Sequence, residues 1–556
     1  MRNNVLRRLP VERAIGQSYG GGRHRLGITF KTRDLVVLGL GAMIGAGIFS
    51  ISGVQAATMA GPAVIVSFVI AGVVCLLAAM SYAELSSIVP VAGSAYSFTY
   101  IAFGEIWGWL VGWAVILELL LAASVVARAW SLFATQTLTD FGVPIPAALA
   151  QVVGHGEGFD VFALLILLLL VLMLATGGRI GLRSLWFMVL AKVVVIGLVI
   201  GVGLWFFKPG NLTPFIPPAE ITAGASEHTV LDTLFGGPTH IFGLWGIFAA
   251  APTIVFAYIG FDLITTTAEE TADAPRQVPR GVLISLLLTT VLYLGVAVTM
   301  VGMISYRNLD PAKPPLAAAF HAVGVGAMSN VVDIGAVLGL TTVMLALLIS
   351  VTRVIFSMGR DGLLPSGLAV LSRFQVPSRA TLVAGTAAIL MSQILNVLTL
   401  EQLVVVGTLL AFLFVCASVL ALRGSRPDLR RPFRVPAVPM TPVLAILATG
   451  WLMLNLKVRT WEYFGIWMAA GLLLYVVYGR RHSTLRAFLA SPAPPPSMPV
   501  QPVQPSPAVY ASPPPPPGQI PGPFYGRQGN LPPLRYLSAD DEFRPNPPEP
   551  GGRPRQ

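Results

Sequence analysis

The chain has 556 residues, 55% of them hydrophobic and only 11% charged, with a mean hydropathy of +0.75. A soluble protein carries about 25% charged residues, so most of this chain is expected to sit in lipid. The net charge of +11 could suggest nucleic acid, but the basic residues follow the pattern of membrane-protein loops, and no nucleic-acid partner is expected. Cys75 and Cys416 both lie in apolar runs, and the six histidines are scattered without HExxH spacing. Disulfide scaffolds are thereby excluded, and neither a metal nor a cofactor is expected.

Residues 1–33 are polar and basic and do not read as a cleavable signal. Twelve apolar runs of about bilayer length follow. They centre on 34–57, 62–88, 105–134, 161–177, 184–207, 242–268, 281–304, 331–358, 381–396, 402–422, 441–456 and 462–479. Their continuity, without strand-like alternation, predicts helices rather than a barrel. Pro62, Pro90, Pro144, Pro209, Pro275, Pro279, Pro365, Pro377 and Pro436 punctuate the connections. If the chain starts inside, the cytoplasmic segments up to residue 490 hold 23 lysines and arginines and the outer ones five. That asymmetry predicts both termini in the cytoplasm. From Ser491 onward 22 of the 45 prolines fall in 66 residues. This tail is expected to be disordered, with polyproline II character and no identified partner.

Two runs are interrupted. "GLGAMIGAGIF" places Gly39, Gly41, Gly45 and Gly47 in the middle of the first, and "APTIVFAYIGFD" places Pro252, Gly260 and Asp262 in the sixth. Each glycine weakens a helix by about 1 kcal/mol. Gly41 and Gly45 also fit a helix-packing motif. Matched breaks in oppositely oriented halves point instead to an inverted five-helix repeat around a binding site. An unwound helix frees N–H groups that attract a carboxylate and C=O groups that attract an ammonium. Together these suit a zwitterion, which means an amino acid. Lys192 and Glu118 add charges inside the fifth and third runs. Each costs on the order of 3 kcal/mol in lipid and should face a partner or a cavity. Lys192 could also snorkel, and Asp262 could meet a cationic side chain or cap the second half-helix.

"GAMIGAGIF", "SYAELSSIVPVAGSAYSF", "VFAYIGFDLITTTAEE" with "PRQVPRGV", and "RDGLLP" occur in that order. With them the chain resembles the amino acid–polyamine–organocation superfamily, in particular its bacterial cationic-amino-acid-transporter-like branch, over about residues 30–480. The resemblance implies an all-α integral membrane protein with the LeuT-like 5+5 inverted repeat, discontinuous helices 1 and 6, and twelve transmembrane helices. The first repeat would occupy about 34–207, the second about 242–422, and two extra helices about 441–479. It also implies that Ile44, Gly45, Ala46 and Gly47 supply amides to the substrate carboxylate. The carbonyls around Ile259 and Gly260 would receive the amine, and Phe256 would close over the substrate. Lys192 would stand where sodium-driven relatives hold an ion and couple transport to protons, with Glu118 a second candidate for coupling and Asp262 a candidate for selectivity. Ala46 departs from the threonine common in relatives. The expected function is a proton-coupled amino-acid permease of the plasma membrane, not an enzyme. The alternatives are an exchanger or polyamine carrier, or an amino-acid sensor signalling through the tail.

Overall fold

Every one of the twelve apolar runs is helical in the computed structural model, which describes residues 7–19, 30–45, 47–146, 150–154, 158–177, 182–221, 228–236, 240–310, 314–394 and 397–490. Ala46, much of segment 1–33 and the whole of 491–556 lie outside these residues, and so do the readings made for them. A short helix α1 (Val11–Tyr19) precedes α2 (Thr32–Met43), which stops in the middle of the first run. The chain resumes at Gly47 with wide π-type turns over Gly47–Ile51 and Ala56–Ala60. Then come α3 (Val64–Ile88), α4 (Ala95–Phe103), α5 (Glu105–Asp140), α6 (Val161–Ala175) and α7 (Leu182–Trp205).

The sixth run divides into α8 (Gly243–Tyr258) and a single turn, α9 (Leu263–Thr266). It is followed by α10 (Ala274–Met303), α11 (Pro315–Ala322) and α12 (Gly326–Arg360). The remaining runs form α13 (Ser378–Ile394), α14 (Val397–Ser425), α15 (Met440–Leu454) and α16 (Val458–Leu474). A small antiparallel pair, β1 (Glu220–Ile221) and β2 (His240–Ile241), lies between α7 and α8. Eight helical segments among the described residues are long and apolar enough to cross a bilayer, and α6 and α15 are apolar but shorter.

Helices α5 and α12 overrun the apolar runs that announced them, reaching Asp140 and starting at Gly326. At 1.5 Å per residue, α5 is about 54 Å long, well beyond a hydrocarbon core of about 30 Å. Its polar last turns, with Thr135, Gln136, Thr137 and Thr139, satisfy themselves through i→i−4 and side-chain bonds rather than by apolar burial. Because α5 and α12 make the most extensive helix–helix contact and are largely buried, they form the spine of the molecule. By contrast, α6 and α7 turn Leu169, Phe187 and Leu190 outward, as lipid-facing helices do. The short, buried α4 and α11 and the β pair were not anticipated, because none has the length of a span.

Candidate functional site

The first break begins where α2 makes its last regular bond, from Ile44 N–H to the Leu40 carbonyl at 2.9 Å. Ile44 then adopts an extended conformation, with φ −71° and ψ 93°. Helical bonding restarts beyond the gap, with Ile48 N–H on the Gly45 carbonyl at 3.2 Å. The carbonyls stranded by the gap are met by side chains of other helices. Lys192 Nζ, on α7, donates to the Gly41 and Ile44 carbonyls at 2.9 Å each. Thr342 Oγ1, on α12, reaches the Gly41 carbonyl at 3.1 Å.

The second break follows Tyr258. Ile259 is extended, with φ −59° and ψ 129°, and Gly260 takes φ +135°, a conformation open to glycine and strained for other residues. The two breaks press backbone against backbone. A Cβ on Gly260 would lie 2.9 Å from the Met43 nitrogen, and one on Gly47 would lie 2.3 Å from Ala257 Cβ. Gly45 is similarly closed off, since its Cβ would meet Val343 Cγ2 of α12 at 2.6 Å. Glycine here therefore provides close approach between helices as well as weak helix propensity.

Tyr293 of α10 lies across both breaks. Its hydroxyl is 2.6 Å from the Met43 carbonyl and 2.7 Å from the Ala257 carbonyl, one just ahead of each gap. Its ring packs edge-on against Tyr258 and Phe68. No sequence reading singled it out, nor Thr342. In the sequence, Tyr293 is one aromatic in an apolar run, and its partners are 250 and 36 residues away.

Lys192 does not snorkel. It is 1% exposed and its ammonium points at the first break. Asp262 was a candidate cap, but its side chain does not cap α9. Instead Oδ1 turns back two residues and accepts from Gly260 N–H at 3.1 Å, holding the positive-φ turn closed. Glu118 is 1% exposed with Oε1 lacking a hydrogen-bond partner. It faces Gly407 and Thr408 of α14, and the charge that acts on it is that of Asp262. Phe256 sits one turn before the second break, and it, Ile259 and Asp262 are each 6% exposed among neighbours that are fully buried. The breaks thus gather Ile44, Gly45, Gly47, Lys192, Ile259, Gly260 and Asp262, while Glu118 packs against Gly407 of α14.

Ion pairs fasten the segment beyond the second break to the spine. Glu269 pairs with Arg360 at 3.0 Å and also accepts from Ala92 N–H at 2.9 Å. Glu270 pairs with Arg353 at 2.7 Å; separately, Glu84 of α3 pairs with Arg423 of α14 at 2.6 Å. A cavity of about 470 Å³ lies elsewhere, beside α8 and α15, lined by Leu231, Trp245, Pro252, Trp451 and Lys457. The breaks themselves are closed.

The profile of the amino acid permease family matches residues 30–478. The chain is 38% identical to the methylthioribose transporter of Bacillus subtilis (strain 168), over 87% of this chain and 99% of that protein. It is 37% identical to the branched-chain amino acid permease BcaP of the same organism, over 87% of this chain and all of that protein. It is 35% identical to the vacuolar cationic amino acid transporter 2 of Arabidopsis thaliana, over 76% of this chain and 64% of the other. These relatives are carriers by name rather than enzymes. An α-helical membrane architecture, two interrupted helices in contact and a family match that runs from α2 through α16 lead to one assignment: the chain belongs to the amino acid permease family.

Proposed function

We propose that the chain is a proton-coupled amino-acid permease of the cell membrane that binds substrate at the two breaks and works by alternating access. The reading takes all twelve helical runs as spans, with both termini cytoplasmic, arranged as a LeuT-like inverted repeat. Helix pairing supports the repeat. Counting spans along the chain, the second packs on the seventh (α3 on α10), the third on the eighth (α5 on α12), and the fourth on the ninth (α6 on α13). The first and sixth meet at their breaks, through Gly47 and Ala257. Four of the five helices of the first half thus meet their counterpart five spans later, while the fifth (α7) packs on α12, α10 and α2; pairing of this kind is what two interlocked, inverted halves produce.

The observation that carries the coupling is the Lys192 ammonium on the Gly41 and Ile44 carbonyls. Charge-assisted hydrogen bonds are worth roughly 1.5–3 kcal/mol each. Loss of the Lys192 proton removes that assistance from both bonds and loosens the first break against α7. Substrate carboxylate would bind the amides at Gly45 and Gly47, and substrate amine the carbonyls at Ile259 and Gly260, with Phe256 as the cover. Asp262 is engaged by Gly260 N–H, which leaves it less able to bind a cationic side chain and favours neutral substrates. The branched-chain relative that is matched along its whole length supports the same preference.

The test is uptake into proteoliposomes with an imposed pH gradient, using a panel of leucine, arginine, putrescine and methylthioribose. Gradient-driven uptake of a neutral amino acid is expected. Lys192→Ala should abolish the dependence on the gradient, and an unchanged pH profile in that variant would remove Lys192 from the coupling scheme. Uptake that needs substrate on the opposite side and ignores the gradient would establish exchange instead. Uptake of methylthioribose alone would overturn the substrate class.

A further inference from the structure

A second pair of acids, one buried and one partly buried, lies at the far end of the spine. Trp130 Nε1 of α5 donates to Thr341 Oγ1 of α12 at 3.0 Å, which fixes the antiparallel register of the two helices. Ten residues further along α5 is Asp140, and eight residues back along α12 is Asp333. At 1.5 Å per residue both lie about 12–15 Å beyond that bond, at the same level. Ten and eight residues at about 100° each also turn the two positions to the same side of the α5–α12 seam, and Asp140 acts directly on the Asp333 carboxyl group. Asp333 is fully buried, and neither of its carboxylate oxygens has a hydrogen-bond partner. Asp140 Oδ2 is buried without a partner as well, while Oδ1 accepts from Gln136 Nε2 at 2.8 Å. Ser329, one turn before Asp333, is likewise buried with an unpartnered hydroxyl.

The surrounding charges do not resolve this arrangement. Among the described residues, the charge that acts most on Asp333 is that of Asp140. Arg128 is three turns back on α5 and donates to the Ser392 and Gly158 carbonyls. Lys192 lies level with Gly339, six residues along α12 and about 120° around it, bonded to the first break. His321 of α11 is exposed and sits near Gly326, at the start of α12. Two ionised carboxylates in contact, with Asp333 wholly and Asp140 partly withdrawn from water, repel each other, and among the described residues the single Gln136 amide on Asp140 is the only bond that offsets the lost hydration. A proton between them removes one charge and turns the contact into an O–H···O bond.

We propose that Asp140 and Asp333 form a proton-binding site, distinct from Lys192, in which one proton shared by the two carboxyl groups fastens the last turn of α5 to the start of α12. The proton comes from solvent at this end of the bundle and is transferred to no other group. While it is bound the two long helices are held together; when it leaves, like charges push them apart. Arg360 closes the other end of α12, about 40 Å away. The pair is thus placed to report the pH on the face of the protein opposite the Glu269–Arg360 contact.

The experiment is thermal unfolding of the purified full-length protein in detergent between about pH 5 and about pH 9. Proton binding to the folded pair stabilises it, so the pair's contribution is present at low pH and is lost as pH rises and the proton leaves. The wild type is expected to lose about 3 °C or more across the range. In Asp140→Asn and Asp333→Asn the amide supplies its own donor, so the slope should flatten by at least about half in each. Asp140 is only partly buried, so its variant remains informative if Asp333→Asn fails to fold. A wild-type slope in Asp140→Asn overturns the proposal. So does a slope that disappears in His321→Gln, or calcium restoring the wild type but not Asp140→Asn at alkaline pH, which would make the site a metal site.

Discussion

Removing one oxygen from Tyr293 tests whether the two breaks act as one site. In Tyr293→Phe the ring keeps its edge-on contacts with Tyr258 and Phe68, whose centroids are 5.2 and 5.9 Å away, so packing is preserved. What is lost is the hydroxyl, 2.6 Å from the Met43 carbonyl and 2.7 Å from the Ala257 carbonyl. A hydroxyl has one proton and donates to one carbonyl at a time, so one hydrogen bond is removed rather than two. A buried carbonyl left without its donor costs about 1–3 kcal/mol. If substrate needs both breaks in this geometry, that cost falls on binding and weakens affinity by about 5–150-fold. The same cost lowers Tm by only a few degrees, because a chain this long unfolds with a large entropy. Binding of the amino acid taken up by the wild type, measured on reconstituted protein beside a thermal melt, separates the two effects. Affinity within about twofold of wild type with a lowered Tm would refute the reasoning, since the hydroxyl would then serve packing alone.

Gly260→Ala should abolish binding, because at φ +135° the new methyl lies 2.9 Å from the Met43 nitrogen and Ala42 Cβ and backbone cannot yield as a side chain can; strain of this kind costs about 1–3 kcal/mol before the clash is counted. Wild-type uptake in that variant would show that the breaks need not touch. Glu269→Gln leaves Arg360 without its buried partner, a change worth about 3–5 kcal/mol, and should open the side of the protein that this pair closes. Cys75 and Cys416 are both fully buried in the closed form, so faster labelling of the native cysteines by a thiol reagent is the expected readout, and an unchanged rate would show that the pair does not hold that side shut.

The chemistry of single residues was enough to find where the chain enters lipid and where its helices fail. Apolar length, loop arginines and the glycines at 41, 45, 47 and 260 are local signals, and each carries its own energetic cost in a bilayer. The ionisable residues Lys192, Glu118 and Asp262 stood out for the same reason, because a charge in a spanning run is costly wherever its partner lies. Their partners were not legible. Asp262 could be read as a helix cap from the residues after it, yet its carboxylate turns back to Gly260 N–H. Glu118 could be read as a second candidate for coupling, but that it packs against Gly407 and feels the charge of Asp262 could not be read.

Tyr293, Thr342 and the Asp140–Asp333 contact had no sequence signal at all. A tyrosine or threonine in an apolar helix costs little until it meets a stranded carbonyl, and an aspartate near a helix end looks solvated until a second one is packed against it. The sequence by itself determined that the chain forms membrane-embedded helices, and that two of them are built to break. Only the tertiary structure decided which groups meet at those breaks, because an unwound backbone draws its hydrogen-bond partners from helices far away in the chain.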